Sequence, residues 1–450
     1  MSGAPAHERI ICRPCGAATL LLLPDPGLPM VRFLLAQAGG SVHDPVGQSG
    51  RLDLTFELLL RGTGTDDFAA FTNTLEGMGS SLDAQVGDAA ASLRGIALSR
   101  HWPATWALAT AAWQRPTLAA AALPQLLDEA VDAQVSSRDD DEAVAEHFLR
   151  RALYGAHPLG RAAGGEVADL RRLRRADLRA CHGQLGAEGL LVALAGDIEV
   201  AAATAQVTAW VASLPPRSAP LPAVPALPAL AGLRLWVVDK PGRSQVQLRL
   251  ASQLCSGRDP EREAVWLGAT AFGGTFTSPL TRAVRDERGW SYVAQADFDR
   301  RSPILAPLVL RSAPALGDAV NCLALELDLL AELAAGQLAP ADLQLARDYL
   351  LGRYPFALAS AADMMGAAAA EVLLGHDPAA LLAAPARLAA LDLDSIGAVM
   401  QRHLASQGQL GLLVGPAARL VPELQRRFPS AEVHVVDYQD GLDDGDKEDG

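Results

Sequence analysis

The chain has 450 residues, half of them apolar and a fifth charged, with a formal charge of −14. That length exceeds one ordinary core and predicts several domains, and the composition excludes a disordered protein. The acidic balance excludes nucleic acid as a partner, since phosphate binding needs a basic face. Only Lys240 and Lys447 are lysines, so nearly all the positive charge is arginine.

Along the chain, the opening residues show no apolar core behind a basic start, so no secretory signal is visible. A cytoplasmic location is expected by default, and a periplasmic one if the true start differs. No uncharged run is both as long as the ~18 residues of a membrane span and continuously apolar. Arg9–Leu23 reads as strand, followed by a Pro-Asp-Pro-Gly turn and a second apolar run, Met30–Ala38. Cys12 and Cys15 have the CxxC spacing of redox and zinc sites, but no second pair completes such a site; the simpler reading is two thiols on an early strand. Trp106–Ala122 has helical spacing and high helix propensity.

Asp177–Leu185 reads as a capped helix leading into the apolar run 189–197 (GLLVALAGD). A second helix, Ser395–Ala405, capped by Asp394 with Ser395, leads into 409–416 (QLGLLVGP) in the same way. His182 and His403 occupy similar places in these helices, and the two runs lie about 219 positions apart, close to half the chain. Between them, 215–232 (PPRSAPLPAVPALPALAG) carries prolines that no helix or central strand accommodates, so it reads as an extended linker. After it, Leu233–Asp239, a Pro-Gly turn and the alternating Gln245–Leu250 repeat the strand opening of the first half, and Asp318–Leu333 reads as helix. The expected division is 8–214, linker 215–232, 233–437, and an acidic, disordered tail 438–450. The fold class is α+β: two homologous domains, each a mostly antiparallel sheet with helices packed on one face.

Five segments then resemble one family. Residues 43–63 (HDPVGQSGRLDLTFELLLRGT), 75–79 (LEGMG), 154–161 (YGAHPLGR), 193–198 (ALAGDI) and 272–292 (FGGTFTSPLTRAVRDERGWSY) fall in the order seen in the inverted-motif zinc peptidases, which include insulin-degrading enzymes and mitochondrial processing peptidase. In that family two histidines four apart on a helix bind zinc, the glutamate beside the second activates a water, and a distal glutamate is the third ligand. The aligned positions here are Asp53, Phe56 and Glu57, and counting 77 onward from Glu57 reaches Gln134. Asp53 and Glu57 stand for the histidines, Phe56 for the base and Gln134 for the distal ligand. The resemblance thus implies that this chain holds no zinc of its own. Asp53 and Glu57 could share a hard cation at i, i+4, although a plain polar face accounts for them more simply.

The nine histidines offer no HxxxH or HxH pair, and no Gly-x-Ser-x-Gly elbow occurs. His157 reads as part of a structural turn and His43 as exposed. In the last segment, Arg285 and Tyr292 match the arginine and tyrosine that the family's C-terminal domain lends to the active site; Pro279 stands where arginine is common. A guanidinium and a phenol aimed at a peptide carbonyl stabilise the charge that develops there.

The resemblance implies half of a clamshell and a non-catalytic subunit of a heterodimeric zinc endopeptidase. Its partner would be an HxxEH-containing sibling that carries the Zn2+, its substrate an extended or unfolded peptide added to a sheet edge, with no nucleic acid and no membrane involved. Gln245 and Gln247 are candidates to line the chamber. The competing expectations are a structural subunit resembling the core proteins of the respiratory cytochrome complex, or a peptide-binding protein without hydrolytic role.

Overall fold

The computed structural model describes residues 10–64, 66–405 and 407–442. Two compact units emerge. The first comprises residues up to Gln134, Ala163–Val224 and Phe356–Leu382; the second comprises Val135–Ala162, Pro225–Pro355 and the residues from Ala383 on.

The first unit is built on a six-stranded sheet of β1 (Ile11–Cys15), β2 (Ala18–Pro24), β3 (Met30–Ala38), β4 (Ser81–Val86), β5 (Ala90–Leu98) and β6 (Leu190–Gly196), in the order β1-β2-β6-β3-β5-β4. Only the β2–β6 pair is parallel. The second is built on β7 (Leu233–Asp239), β8 (Gln247–Cys255), β9 (Ala294–Phe298), β10 (Ala306–Ser312), β11 (Gln409–Gly415) and β12 (Glu432–Asp437), in the order β12-β7-β11-β8-β10-β9. Five strands correspond: β2 to β7, β6 to β11, β3 to β8, β5 to β10 and β4 to β9. The repeat read at 189–197 and 409–416 is therefore the central strand of each sheet, β6 and β11. The sixth strand differs: β1 joins by an antiparallel hairpin, β12 by a parallel crossover.

Alternation does not describe the central strands. Leu20, Leu21, Leu22 and Leu23 are all buried in β2, as are Leu190–Ala195 in β6. A strand buried on both faces needs cover on both. Each sheet carries helices of its own half on one face, and a segment from the other half of the sequence covers the opposite face. In the first unit, Met364, Met365, Ala368 and Ala369 of the helix Ala361–Leu374 pack on Leu21, Leu23, Leu34, Leu191 and Ala193. In the second, the helix Asp141–Tyr154 lies against β7, β8 and β11. Its Glu146 accepts from the buried Arg249 Nε at 3.0 Å, and its Asp141 pairs with Lys240 Nζ at 2.6 Å. The contiguous division 8–214 and 233–437 assigns each of these two helices to the opposite half from the sheet it covers.

Local expectations shift by a few residues. The helix expected over Trp106–Ala122 runs Trp102–Gln114 and ends before Pro116, whose ring excludes a helical predecessor. Asp177 sits at the third position of its helix and accepts from the Arg174 N–H at 2.8 Å, and Asp392 caps the helix Leu393–Leu404 by bonding the Ser395 N–H at 2.8 Å. Tyr438–Leu442, assigned to the tail, continue as a turn with Leu442 buried; 443–450 lie outside the described residues. Among the described residues no single helix is long and apolar enough to cross a membrane.

One core carboxyl gives the second unit a pH signature. Glu326 is wholly buried; its Oε1 accepts from Ser312 Oγ at 2.7 Å, and its Oε2 has no hydrogen-bond partner among the described residues. Burial raises its pKa from 4.5 to about 7, against smaller opposing effects from Ser312, Cys322 and Arg249. A carboxyl raised on folding favours the folded state fully below its unfolded pKa and loses that contribution as pH climbs toward 7. Glu326→Gln is therefore expected to leave stability near pH 4.5 unchanged and to raise it by about 2–3 kcal/mol at pH 8. Denaturant unfolding at the two pH values checks this, and equal effects at both would contradict it.

Candidate functional site

The helix Arg51–Leu59 presents the first candidate residues. Gly50 precedes it at φ +87°, where a Cβ would meet Gly164 O at 2.7 Å. The buried Asp44 carboxylate accepts from the Gly50 and Leu52 N–H groups at 3.0 and 3.2 Å and so caps the first turn.

Asp53 follows in that turn, and its Oδ2 is buried without a hydrogen-bond partner among the described residues. Burial first, then the neighbouring Asp44 carboxylate, pushes Asp53 up to about 7.

Phe56 lies on the core side, fully buried, with its ring edge-on to Trp113 at 5.7 Å between centroids. Trp113 in turn packs on Trp210, and Trp210 on Trp106, so Phe56 ends a chain of aromatic rings. A benzyl group there neither binds a cation nor accepts a proton.

Glu57 is exposed, with its pKa raised by partial burial against the opposing charge of Arg61; Glu129 and Asp83 add to the rise. Arg61 pairs with Glu129 at 3.6 Å. The helix Leu123–Ser136 thus sets Glu129, five residues before the counted position, in the field of Glu57. Gln134 donates its amide to Ala163 O at 2.8 Å, beside the Gly164 loop that packs on Gly50. Among the described residues, the one set of three His, Cys, Asp or Glu donor atoms lying within 4.8 Å of one another is Cys255, Asp259 and His403; Asp53 and Glu57 belong to none.

Arg285 and Tyr292 are brought to one cleft of about 120 Å3, lined also by Gly273, Gly274, Phe276 and Gln295. The double glycine makes the cleft possible. A Cβ on Gly273 would stand 2.5 Å from the Ala296 Cβ, and one on Gly274 would stand 2.8 Å from the Thr270 Cα, so only glycines let the helix Arg262–Gly273 end against β9. Pro279, the departure noted in sequence, opens the next short helical turn, where its missing N–H costs nothing. A single π-turn, Arg282–Asp286, follows, then Gly289 at φ +65° reverses the chain. Those two features carry residues seven apart to the same mouth.

Arg285 donates from Nε to Asp286 Oδ1 at 2.7 Å and from Nη2 to Phe276 O at 3.1 Å. Its guanidinium lies 4.3 Å from the Phe276 ring centroid, and that ring meets Tyr292 edge-on at 6.5 Å. Phe276 and Tyr292 are 67% and 78% exposed, which places two large aromatic faces in solvent around one cation. Sequence reasoning passed over Phe276; an aromatic directly behind a Gly-Gly turn was the available signal.

The other candidates separate from the cleft. Gln247 accepts from Arg249 Nη1 at 3.2 Å and Gln245 bridges Ala315, and neither lines the cleft. His157 Nδ1 accepts from the Leu159 N–H at 3.1 Å, and Nε2 lies 3.1 Å from Pro225 O, which makes the 154–161 segment a structural turn. His43, expected at the surface, is half-buried. Cys12 is exposed and Cys15 buried on opposite faces of β1, so the CxxC spacing gives no shared site.

Residues 172–350 match the family model described as the peptidase M16 inactive domain. The chain is similar to the crystal structure of a peptidase M16 inactive domain from Pseudomonas fluorescens, with TM-score 0.84 and 24% identity over 90% of this chain and 98% of that one. It is also similar to a protease from Helicobacter pylori, with TM-score 0.82 and 14% identity over 90% and 99% of the two chains. Against the periplasmic protease PqqL from Escherichia coli the TM-score is 0.76 at 13% identity, over 89% of this chain and 44% of that one. At such identities the likeness is one of fold. No curated protein matches the chain by sequence.

Proposed function

We propose that this chain, whose residues 172–350 match the family model described as the peptidase M16 inactive domain, is the non-catalytic subunit of a heterodimeric zinc endopeptidase. In this reading it binds an extended peptide and lends Arg285 and Tyr292 to the scissile carbonyl, while an HxxEH-containing sibling holds the metal. The observation that carries the reading is the cleft where Arg285, Phe276 and Tyr292 converge.

The residues aligned with the zinc motif do not fit a zinc ion. Phe56 is apolar and buried, and no third donor completes a set with Asp53 and Glu57 among the described residues. No hydrolytic step is assigned to this helix.

At the cleft, Arg285 and Tyr292 both offer hydrogen-bond donors. A guanidinium offers N–H groups that keep their charge at any physiological pH, and a phenol offers one O–H. Aimed at a carbonyl oxygen, both strengthen as negative charge builds on it, with no proton transferred. The exposed rings of Phe276 and Tyr292 give the peptide apolar contact beside that point.

Binding by the isolated chain tests the first half of this reading. A fluorescently labelled, unfolded peptide is expected to bind the purified chain without being cleaved. The double variant Phe276→Ala/Tyr292→Ala should weaken that binding about tenfold, the loss of one to two kcal/mol of aromatic contact. Unaltered affinity would remove the cleft from peptide recognition.

A further inference from the structure

The second unit contains a polar set that the peptidase reading does not use. Cys255 ends β8, Asp259 lies in the following turn, and His403 sits near the end of the helix Leu393–Leu404. One donor atom from each falls within 4.8 Å of the others. We propose that Cys255, Asp259 and His403 form a binding site for a borderline-soft divalent cation, of which Zn2+ is the best fit, tying the end of β8 to that helix.

The donor chemistry selects the ion. Thiolate, imidazole and carboxylate together suit Zn2+, whereas Mg2+ and Ca2+ favour oxygen alone. Ligands at usual Zn–S, Zn–N and Zn–O lengths stand roughly 3.5 Å apart, so modest side-chain rotation closes the present arrangement.

Two of the three ligands are already held. Asp259 Oδ1 accepts from the Glu261 N–H at 2.8 Å, which leaves its second oxygen for a metal. His403 Nε2 is 2.9 Å from Glu261 Oε2, a carboxylate–imidazole contact of the kind that orients a metal-bound histidine. Glu261 also pairs with Arg402, so its charge is met within the shell.

The charges then balance. One thiolate and one carboxylate neutralise a divalent ion, with histidine neutral. Without an ion, burial and then the carboxylates of Asp259 and Glu261 hold the Cys255 thiol up at about 12. A cation reverses that local field, and the thiol releases its proton to solvent on binding.

His403 also differs from its counterpart in the repeat. In the first unit His182 Nε2 lies 2.8 Å from Trp113 O, and among the described residues His182 belongs to no such set of three donors. The set was invisible in sequence because Cys255 and His403 are 148 positions apart (403 − 255).

Metal titration of the chelator-stripped full chain tests this. One Zn2+ per chain is expected at this site, and Co2+ should give a thiolate-to-cobalt charge-transfer band. Cys255→Ser should abolish that band, and Cys255→Ser and His403→Gln should each weaken Zn2+ binding at least tenfold. Cys12→Ser and the double variant Asp53→Asn/Glu57→Gln should leave both signals intact. Zn2+ should raise the thermal midpoint of the native chain and leave that of Cys255→Ser unchanged. Absence of the band, persistence of the band in Cys255→Ser, or loss of binding in Asp53→Asn/Glu57→Gln would overturn the proposal. None of these outcomes depends on a sibling subunit or on peptide cleavage.

Discussion

Replacing Arg285 by alanine in the assembled complex is expected to lower kcat/KM for peptide cleavage by about 10²–10³, the usual cost of removing one preorganised donor at a developing oxyanion. The fall should appear in kcat, because the donor acts most strongly when the carbonyl oxygen is charged. Tyr292→Phe retains the ring against Phe276 and removes only the O–H, so it should share the kcat loss and leave KM nearly unchanged. Lysine at 285 should not rescue the defect, since a point charge does not reproduce the planar fork held by Asp286 and the Phe276 carbonyl. Both side chains sit at the cleft mouth, and Arg285 pairs with groups near the surface, so the fold should tolerate their loss. Equal thermal midpoints, together with unchanged metal content in the sibling, separate a loss of chemistry from a loss of assembly. Full activity of both variants would contradict the assisting role.

Phe56 is expected to behave as a core residue. Phe56→Ala should cost about 3–5 kcal/mol of unfolding free energy, the range for deleting a buried aromatic, because Trp113 would face an empty space. Phe56→Glu restores the residue type of a general base and should destabilise the first unit at least as much. Its carboxyl would be buried among rings, its pKa raised, and the folded state would lose stability as pH rises from 5 to 8. Denaturant titrations at those two pH values measure both effects. Rebuilding the motif by Asp53→His, Phe56→Glu and Glu57→His should therefore yield a weakened protein and no hydrolase. A stable, zinc-loaded triple variant would show instead that the helix still has room for a metal centre.

Much of the fold was legible because it is local. The repeat separated by 219 positions, the proline-rich joint and the capped helices before β6 and β11 all follow from short-range pattern. The exchange of helices between the halves was not legible as a pairing. Leu20–Leu23 and Leu190–Ala195 lack alternation and so call for cover on both faces, but nothing near them names Met364 and Met365 as that cover. The site divides in the same way. Arg285 and Tyr292 could be placed by motif, since Gly273, Gly274 and Gly289 fix the turns between them. Counting along the chain to Gln134 gives a residue bonded to Ala163, while Glu129 on the same helix pairs with Arg61 and acts on Glu57 through its charge. A count of residues does not register where a helix begins. The Phe276 ring and the Cys255–Asp259–His403 set arise from chain crossings with no signature in spacing.

Peptide cleavage measured for three samples separates an assisting subunit from an idle one: the chain alone, an HxxEH-containing sibling alone, and the two combined. Only the combination is expected to cleave an unfolded peptide, with a rate that saturates at one chain per sibling. Cleavage by the chain alone, or a sibling whose rate is unaffected by adding it, would show that this chain does not assist a partner's zinc.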